Sequence, residues 1–182
     1  MSEKVILVDE FDNDIGTMNK MKAHQKGLLH RAISVFIFNS YGEMLIQKRA
    51  LEKYHSPGIW SNAACTHPRL NEEPIIAAKR RLKEEMGLIA NINFSFKFTY
   101  KAKLDQDLTE HELDHVFIGV SDNTPDYNTD EVCDFRYINK EDLEMELEKN
   151  PNSFSAWFKL CYKQAYKLVN KTENQKTKLD VH

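Results

Sequence analysis

One helix sets the plan of this chain. Residues 71 to 87, NEEPIIAAKRRLKEEMG, open with Asn71 as a candidate cap, Glu72 and Glu73 at the positive end of the dipole, and Pro74 in the first turn, where a missing N–H costs nothing. Gly87 marks the stop. Ile75, Ile76, Ala78, Leu82 and Met86 are expected to be buried, while Arg81 and Glu85, four apart, place a guanidinium beside a carboxylate on another face. Strand-like runs lie on both sides of this helix and a helical layer follows at the C-terminal end, the pattern of an α/β domain.

Val5 to Val8 reads as a short strand entering the acidic turn Asp9 to Gly16. A calcium loop there fails, because the register with Gly16 sixth puts Phe11 first and Lys22 last, where carboxylates are needed. A polar, basic stretch from Lys20 to Arg31 precedes the apolar run Ala32 to Phe38, a buried strand. Turn residues Asn39 to Gly42 and a second strand, Glu43 to Arg49, predict a hairpin. Ser56, Pro57 and Gly58 form a turn. Beyond the helix, Phe94 to Ala102 alternates aromatic with polar, as a half-buried strand does. Glu110 and Glu112, two apart on a strand, point the same way before Val116 to Val120. Thr124 and Pro125 mark a loop. Cys133 to Ile138 is read as a last strand and Lys140 to Lys149 as a helix ended by Asn150 and Pro151. Phe154, Trp157, Phe158, Cys161, Ala165, Leu168 and Val169 recur at helical spacing. These elements describe an α/β domain with a mixed sheet.

A length of 182 residues suits one core, so residues 1–170 are expected to form a single domain and residues 171–182 a polar, mobile tail. A net charge of -3 lacks the positive excess that nucleic-acid binding favours. Cys65, Cys133 and Cys161 are odd in number and widely spaced, which argues for free thiols in a reducing compartment. The chain shows neither a secretory leader nor an apolar run of spanning length, so a cytoplasmic address with no membrane partner is expected.

The residues 61 to 88 also carry a motif. Glu72, Arg80, Leu82, Glu84, Glu85, Gly87 and Leu88 fall in register on the Nudix signature, which breaks at two positions: Thr66 stands for its opening glycine, and Arg81 replaces a glutamate that the hydrolases use on metal. With the preceding Asn62-Ala63-Ala64-Cys65-Thr66-His67-Pro68, the altered box resembles the type I isopentenyl diphosphate isomerases. The resemblance covers roughly residues 20 to 160. It implies a Nudix-type α/β/α sandwich with mixed sheet and an enzyme that interconverts isopentenyl and dimethylallyl diphosphate by protonation and deprotonation through a tertiary carbocation.

In that family pattern Cys65 and Glu112 carry protons, with Tyr100 near the glutamate and the face of Trp157 toward the cationic carbon. His24, His30, His67, Glu110 and Glu112 match a site for manganese, zinc or magnesium. Glu85 is the carboxylate for a substrate-bound magnesium, and Lys20, Arg49, Lys53 and Arg81 are the diphosphate contacts. Each has a plainer reading. A lone cysteine is most often buried core, as Cys133 and Cys161 are taken to be, and His55, His111, His115 and His182 fit no pattern. Trp157 and Tyr100 alone read as core aromatics, and single basic residues as solvated charges. The expected partner is a small allylic or homoallylic diphosphate, with a monomer or homodimer both open. A Nudix hydrolase of a nucleoside or other diphosphate is the alternative, favoured by Glu84-Glu85 and opposed by Arg81, Thr66 and the cysteine motif; a binding module without chemistry is a third.

Overall fold

The computed structural model describes residues 3–53, 56–104 and 107–179, with side chains described up to residue 169. His55 and His182 lie outside the described residues. Strand β3 (His30–Phe38) is the spine of the sheet. Along its whole length one edge pairs in parallel with β8 (Thr109–Val120), from His30↔Glu112 to Phe38↔Val120. Its other edge is shared antiparallel by three strands: β1 (Lys4–Val8) at His30, β6 (Ala64–Thr66) at Ile33 to Val35, and β4 (Met44–Arg49) at Ile37 and Phe38. The expected β3–β4 hairpin is therefore paired only next to its turn. Beyond it β4 turns to β5 (Trp60–Asn62) and β9 (Val132–Ile138). The sheet is completed by β2 (Asp14–Asn19) on β1 and β7 (Ile92–Lys103) on β8.

Both faces of β3 are buried, which explains its unbroken apolar run. Ile33, Val35 and Ile37 pack under helix α2 (Pro74–Met86) against Ala77, Ala78, Leu82 and Met86. Phe36 and Phe38 face the opposite layer, helix α3 (Lys140–Lys149) with Leu143 and helix α4 (Ala156–Leu179) with Trp157, Phe158, Cys161, Tyr162 and Ala165. The result is an α/β/α sandwich around a mixed sheet. Removing Phe158, fully buried between β3 and its own helix, would cost about 3–5 kcal/mol.

Several local expectations change. Asn71 does not cap α2; it takes a left-handed turn (φ 62°), and Glu73 holds the cap position without a side-chain bond. Pro74 displaces the start by two residues because it fills the first helical position. Ile76 is 52 % exposed, on the side of α2 away from the sheet. Gly87 ends the helix in the left-handed region (φ 65°), and a Cβ there would collide with the carbonyl of Asp126. In β7 a bulge between Phe94 and Phe96 breaks the strict alternation. Ile92 and Phe94 face the α2 side, with Phe94 on Phe117, whereas Phe96, Phe98 and Tyr100 join the other core. Cys133 is exposed rather than core, while Cys161 is buried as expected. Phe154 precedes α4 and pairs with Trp60, and α4 continues to Leu179, into the segment read as tail. The stretch from Lys20, unassigned by pattern, forms a seven-residue helix α1 (Lys20–Lys26).

Candidate active site and metal centre

Register brings the two proton carriers implied by resemblance to one face. Cys65 on β6 stands opposite Ser34 of β3, and Glu112 on β8 stands beside His30 of β3. Ser34 and His30 are four apart on one strand, so all four side chains project to the same side. Because β6 and β8 flank β3, the thiol and the carboxylate reach that face from opposite sides of it. Both line a cleft of about 1060 Å³ whose wall also contains Lys20, Arg49, Lys53, His67, Arg81, Glu110 and Trp157. Buried behind it, His30 and Tyr100 contact Glu112, the His24 ring lies against His67, and Glu85 pairs with Arg81.

The histidines arrive from three elements. Asn19 caps α1 by accepting from the Lys22 N–H at 3.1 Å, Gly27 closes it in the left-handed region, and His24 is fully buried on its inner face. His30 opens β3, and His67 follows β6. Ligand atoms of His24, His30, His67 and Glu112 all lie within 4.8 Å of one another, and the three rings are 5.0 to 5.9 Å apart. The Leu28 carbonyl, 2.8 Å from His30 Nδ1, can only accept, so Nδ1 carries a hydrogen and Nε2 is the atom turned into the cluster. His30 Nε2 faces Glu112 Oε1 at 3.4 Å, and His67 Nε2 is 3.1 Å from the same oxygen. His67 Nδ1 is buried with no hydrogen-bond partner among the described residues.

Burial pushes His24 down to about 4, with the neighbouring imidazoles adding to it, and lowers His67 as well. Neutral imidazoles are metal donors. Burial opposes the charge of Glu112, but the imidazoles of His30 and His67 outweigh it and hold the carboxyl well below its usual range. Glu110 is driven the other way, first by burial and then by the charge of Glu112. Three imidazoles and a carboxylate that converge this closely suit a cation, and this donor set fits a divalent metal. Glu110 is not within the tight quartet. It joins through Tyr100, whose hydroxyl donates to Glu112 at 2.6 Å and lies 3.3 Å from Glu110.

Cys65 is half-buried, and its thiol is pushed up to about 12 by burial and then by Glu85. It keeps its proton at neutral pH. Arg49 Nη1 approaches its sulfur at 3.8 Å, and the Arg49 guanidinium also lies 5.6 Å from the centre of the Trp157 ring. Trp157 is held by a bond from Nε1 to Asn62 Oδ1 of 2.9 Å, and the Asn62 amide donates to the Val35 and Ala64 carbonyls at 3.2 and 2.6 Å. The indole thus has a fixed orientation.

Arg81 forms an ion pair with Glu85 of 2.5 Å, and a second with Glu131, which also receives Lys53. Glu85 is 3 % exposed; burial raises it although Arg81 and Gln47, which donates to it, pull it down. Lys20 pairs with Glu3 at 3.0 Å. The remaining signature residues brace the fold: Arg80 grips Glu72 through two bonds of 2.7 and 2.9 Å and Glu84 through one of 3.0 Å. The residues that sequence reasoning did not assign are Asn62, Gln47 and Glu131. Asn62 was visible inside the cysteine motif, whereas nothing in the sequence around Gln47 or Glu131 marks a place beside Glu85 and Arg81.

The NUDIX domain model matches residues 28–158. The chain is 48 % identical over 161 residues to isopentenyl-diphosphate Delta-isomerase 2 of Aromatoleum aromaticum, covering 88 % of this chain and 85 % of that protein. It is 49 % identical over 159 residues to the isopentenyl-diphosphate Delta-isomerase of Pectobacterium atrosepticum, covering 87 % and 89 %. Among solved structures, one from Deinococcus radiodurans superposes with a TM-score of 0.74 at 18 % identity over 90 % of this chain and 99 % of that one. The MutT protein of Methanosarcina mazei superposes at 0.62 with 16 % identity, over 79 % and 96 %. These structural likenesses speak for the fold.

Proposed function

The chain belongs to the Nudix family, among the isopentenyl-diphosphate Delta-isomerases, and from that premise we propose that Cys65 and Glu112 are the groups that move its protons. The enzyme interconverts isopentenyl and dimethylallyl diphosphate, a transposition of a carbon–carbon double bond in a small diphosphate. The observation that carries the proposal is the register of β3 with β6 and β8, which aims a thiol and a carboxylate into one cleft from opposite sides.

Moving the double bond means adding a proton to one alkene carbon and removing one from another, with positive charge at the tertiary carbon between. A neutral Cys65 thiol and an ionised Glu112 are an acid and a base in complementary states. The Trp157 ring, fixed by Asn62, offers its face to the cationic carbon, worth about 0.5–2 kcal/mol. Tyr100 holds the Glu112 carboxylate in place. Lys20, Arg49, Lys53 and Arg81 take the diphosphate, the arginines through parallel N–H bonds.

His24, His30, His67 and Glu112, with Glu110 completing the set, would hold manganese, zinc or magnesium, and Glu85 a magnesium that arrives with the substrate. A dication there would supply charge that fixes the acidity and orientation of the glutamates. Hydrolysis is disfavoured because Arg81 and Arg80 occupy the carboxylates of α2 that would otherwise gather around a metal. Free thiols at Cys65, Cys133 and Cys161 support a cytoplasmic address, and the two cores sharing β3 support one domain over residues 1–170.

Isomerisation in heavy water tests the assignment. Solvent deuterium should enter the methyl groups of dimethylallyl diphosphate while free phosphate stays at background, and Cys65→Ala should lose that incorporation. Product formed without deuterium in carbon would remove the exchangeable acid from the mechanism.

A further inference from the structure

Glu131 occupies an unusual place for a residue at the end of a turn. One of its carboxylate oxygens accepts from both Lys53 and Arg81. Its backbone is anchored as well: its carbonyl receives the Ala50 N–H at 3.0 Å, and its own N–H is bonded to the Asn128 carbonyl at 3.0 Å. Asn128 in turn donates its N–H to the Glu85 carbonyl at 2.9 Å. Three segments therefore meet at this residue: the end of α2, the turn that follows β4, and the entry to β9.

Two cations side by side in a cleft repel each other, and a lysine on a four-carbon stem would otherwise swing into solvent. A carboxylate between them removes the repulsion and fixes both heads. It also leaves donors to spare, since an ammonium has three N–H bonds and a guanidinium five. Of these, Arg81 spends Nε on Glu85, one Nη2 bond on Glu131 and a longer Nη1 contact of 3.5 Å on Glu84. Lys53 and Arg81 both line the cleft, where an anion with several oxygens can collect the remaining donors. Burial works against the charge of Glu131, but Lys53 and Arg81 more than offset it and keep the carboxyl low, so it stays ionised around neutral pH.

We infer that Glu131 is a positioning residue for the diphosphate, holding Lys53 and Arg81 as a pre-formed clamp while making no contact with the reacting carbons. This rests on the reading that Lys53 and Arg81 grip the diphosphate. The clamp acts equally on bound substrate and transition state, so its loss appears mainly as weaker binding. An alternative role, a carboxylate that competes with the diphosphate for the same cations, predicts the opposite sign.

The test compares Glu131→Gln, Glu131→Asp and Lys53→Met in the full chain. Each is measured for KM and kcat with isopentenyl diphosphate and for inhibition by inorganic pyrophosphate, with thermal unfolding as a check on folding. Glu131→Gln should raise KM and the pyrophosphate inhibition constant together by about tenfold, with a smaller change in kcat, as expected for loss of a charge-assisted bond. Glu131→Asp should recover part of that loss, and Lys53→Met should raise the inhibition constant similarly. Unchanged or tighter pyrophosphate binding in Glu131→Gln overturns the inference. If Lys53→Met also leaves pyrophosphate binding unchanged, it is the diphosphate assignment of Lys53 that fails.

Discussion

His30 and Glu112 are direct partners in the parallel β3–β8 ladder, and their side chains face each other with Nε2 3.4 Å from Oε1. Backbone pairing thus fixes half of the histidine and carboxylate cluster before any ion binds. His24, on α1, and His67, supplied by the chain after β6, are the two donors that the ladder does not fix.

That difference yields the first prediction. His67→Ala should lower the metal content of purified protein, because one of the four converging donors is lost. Thermal stability in excess chelator should change little, since β3 and β8 still pair. Elemental analysis checks the metal content, and full occupancy in the variant would remove His67 from the ligand set.

A second prediction concerns Cys65. Cys65→Ala should cut turnover by at least about 10²–10⁴-fold, the usual contribution of a positioned acid or base. Affinity for the diphosphate should persist, because Lys53 and Arg81 are held by Glu131 and Glu85 independently of the thiol. Titration with pyrophosphate beside single-turnover assays separates the two effects.

Much of the architecture was legible because it is periodic. The run Ala32 to Phe38 announced a strand buried on both faces, and the spacing of Arg81 and Glu85 announced their pair. Legibility failed where a neighbouring residue or a strand irregularity overrides a local preference. Asn71 has the chemistry of a cap, yet Pro74 moves the helix start beyond its reach. Phe94 matches the alternation of β7, yet a bulge sends it to the opposite face, a displacement no pattern of polar and apolar residues records. The site was readable only as a set of residues in a familiar order. Glu131 was not, because its role comes from three segments that meet in space.

The third prediction uses the β1–β2 turn, where Asp12 takes a left-handed conformation, receives Arg31 at 2.8 Å and Lys97 at 3.2 Å, and lies 2.8 Å from His115 Nε2. Burial opposes the charge of Asp12, but Arg31, His115 and Lys97 outweigh it, so its folded value lies below the reference 3.8. A depressed carboxyl contributes stability above the unfolded value and loses it as pH falls through the folded one. Asp12→Asn should therefore destabilise the protein at pH 7 by about 1–3 kcal/mol, the cost of losing a charged hydrogen-bond partner. The gap from the wild type should narrow below pH 4. Urea unfolding across that range checks it, and a gap that is constant with pH would assign the effect to packing.

The last prediction isolates Tyr100. Its hydroxyl is buried, donates to Glu112 at 2.6 Å and lies 3.3 Å from Glu110, and burial followed by the charge of Glu112 raises its own titration far above the ordinary range. It is thus a permanent donor that fixes where the Glu112 carboxylate points, and its ring stacks on Phe98 within the core. Tyr100→Phe keeps the ring and deletes only the oxygen, so the fold should hold. The carboxylate loses one restraint but keeps the imidazoles on its other oxygen, so its basicity is preserved while its aim is loosened. Turnover should fall by about tenfold to a hundredfold with KM nearly unchanged, the pattern of an interaction that matters more in the transition state than in the ground state. Kinetics beside a metal assay distinguish the routes. A parallel loss of bound metal would mean that Tyr100 works by holding the cluster together, whereas full metal content with reduced turnover assigns it to the orientation of Glu112.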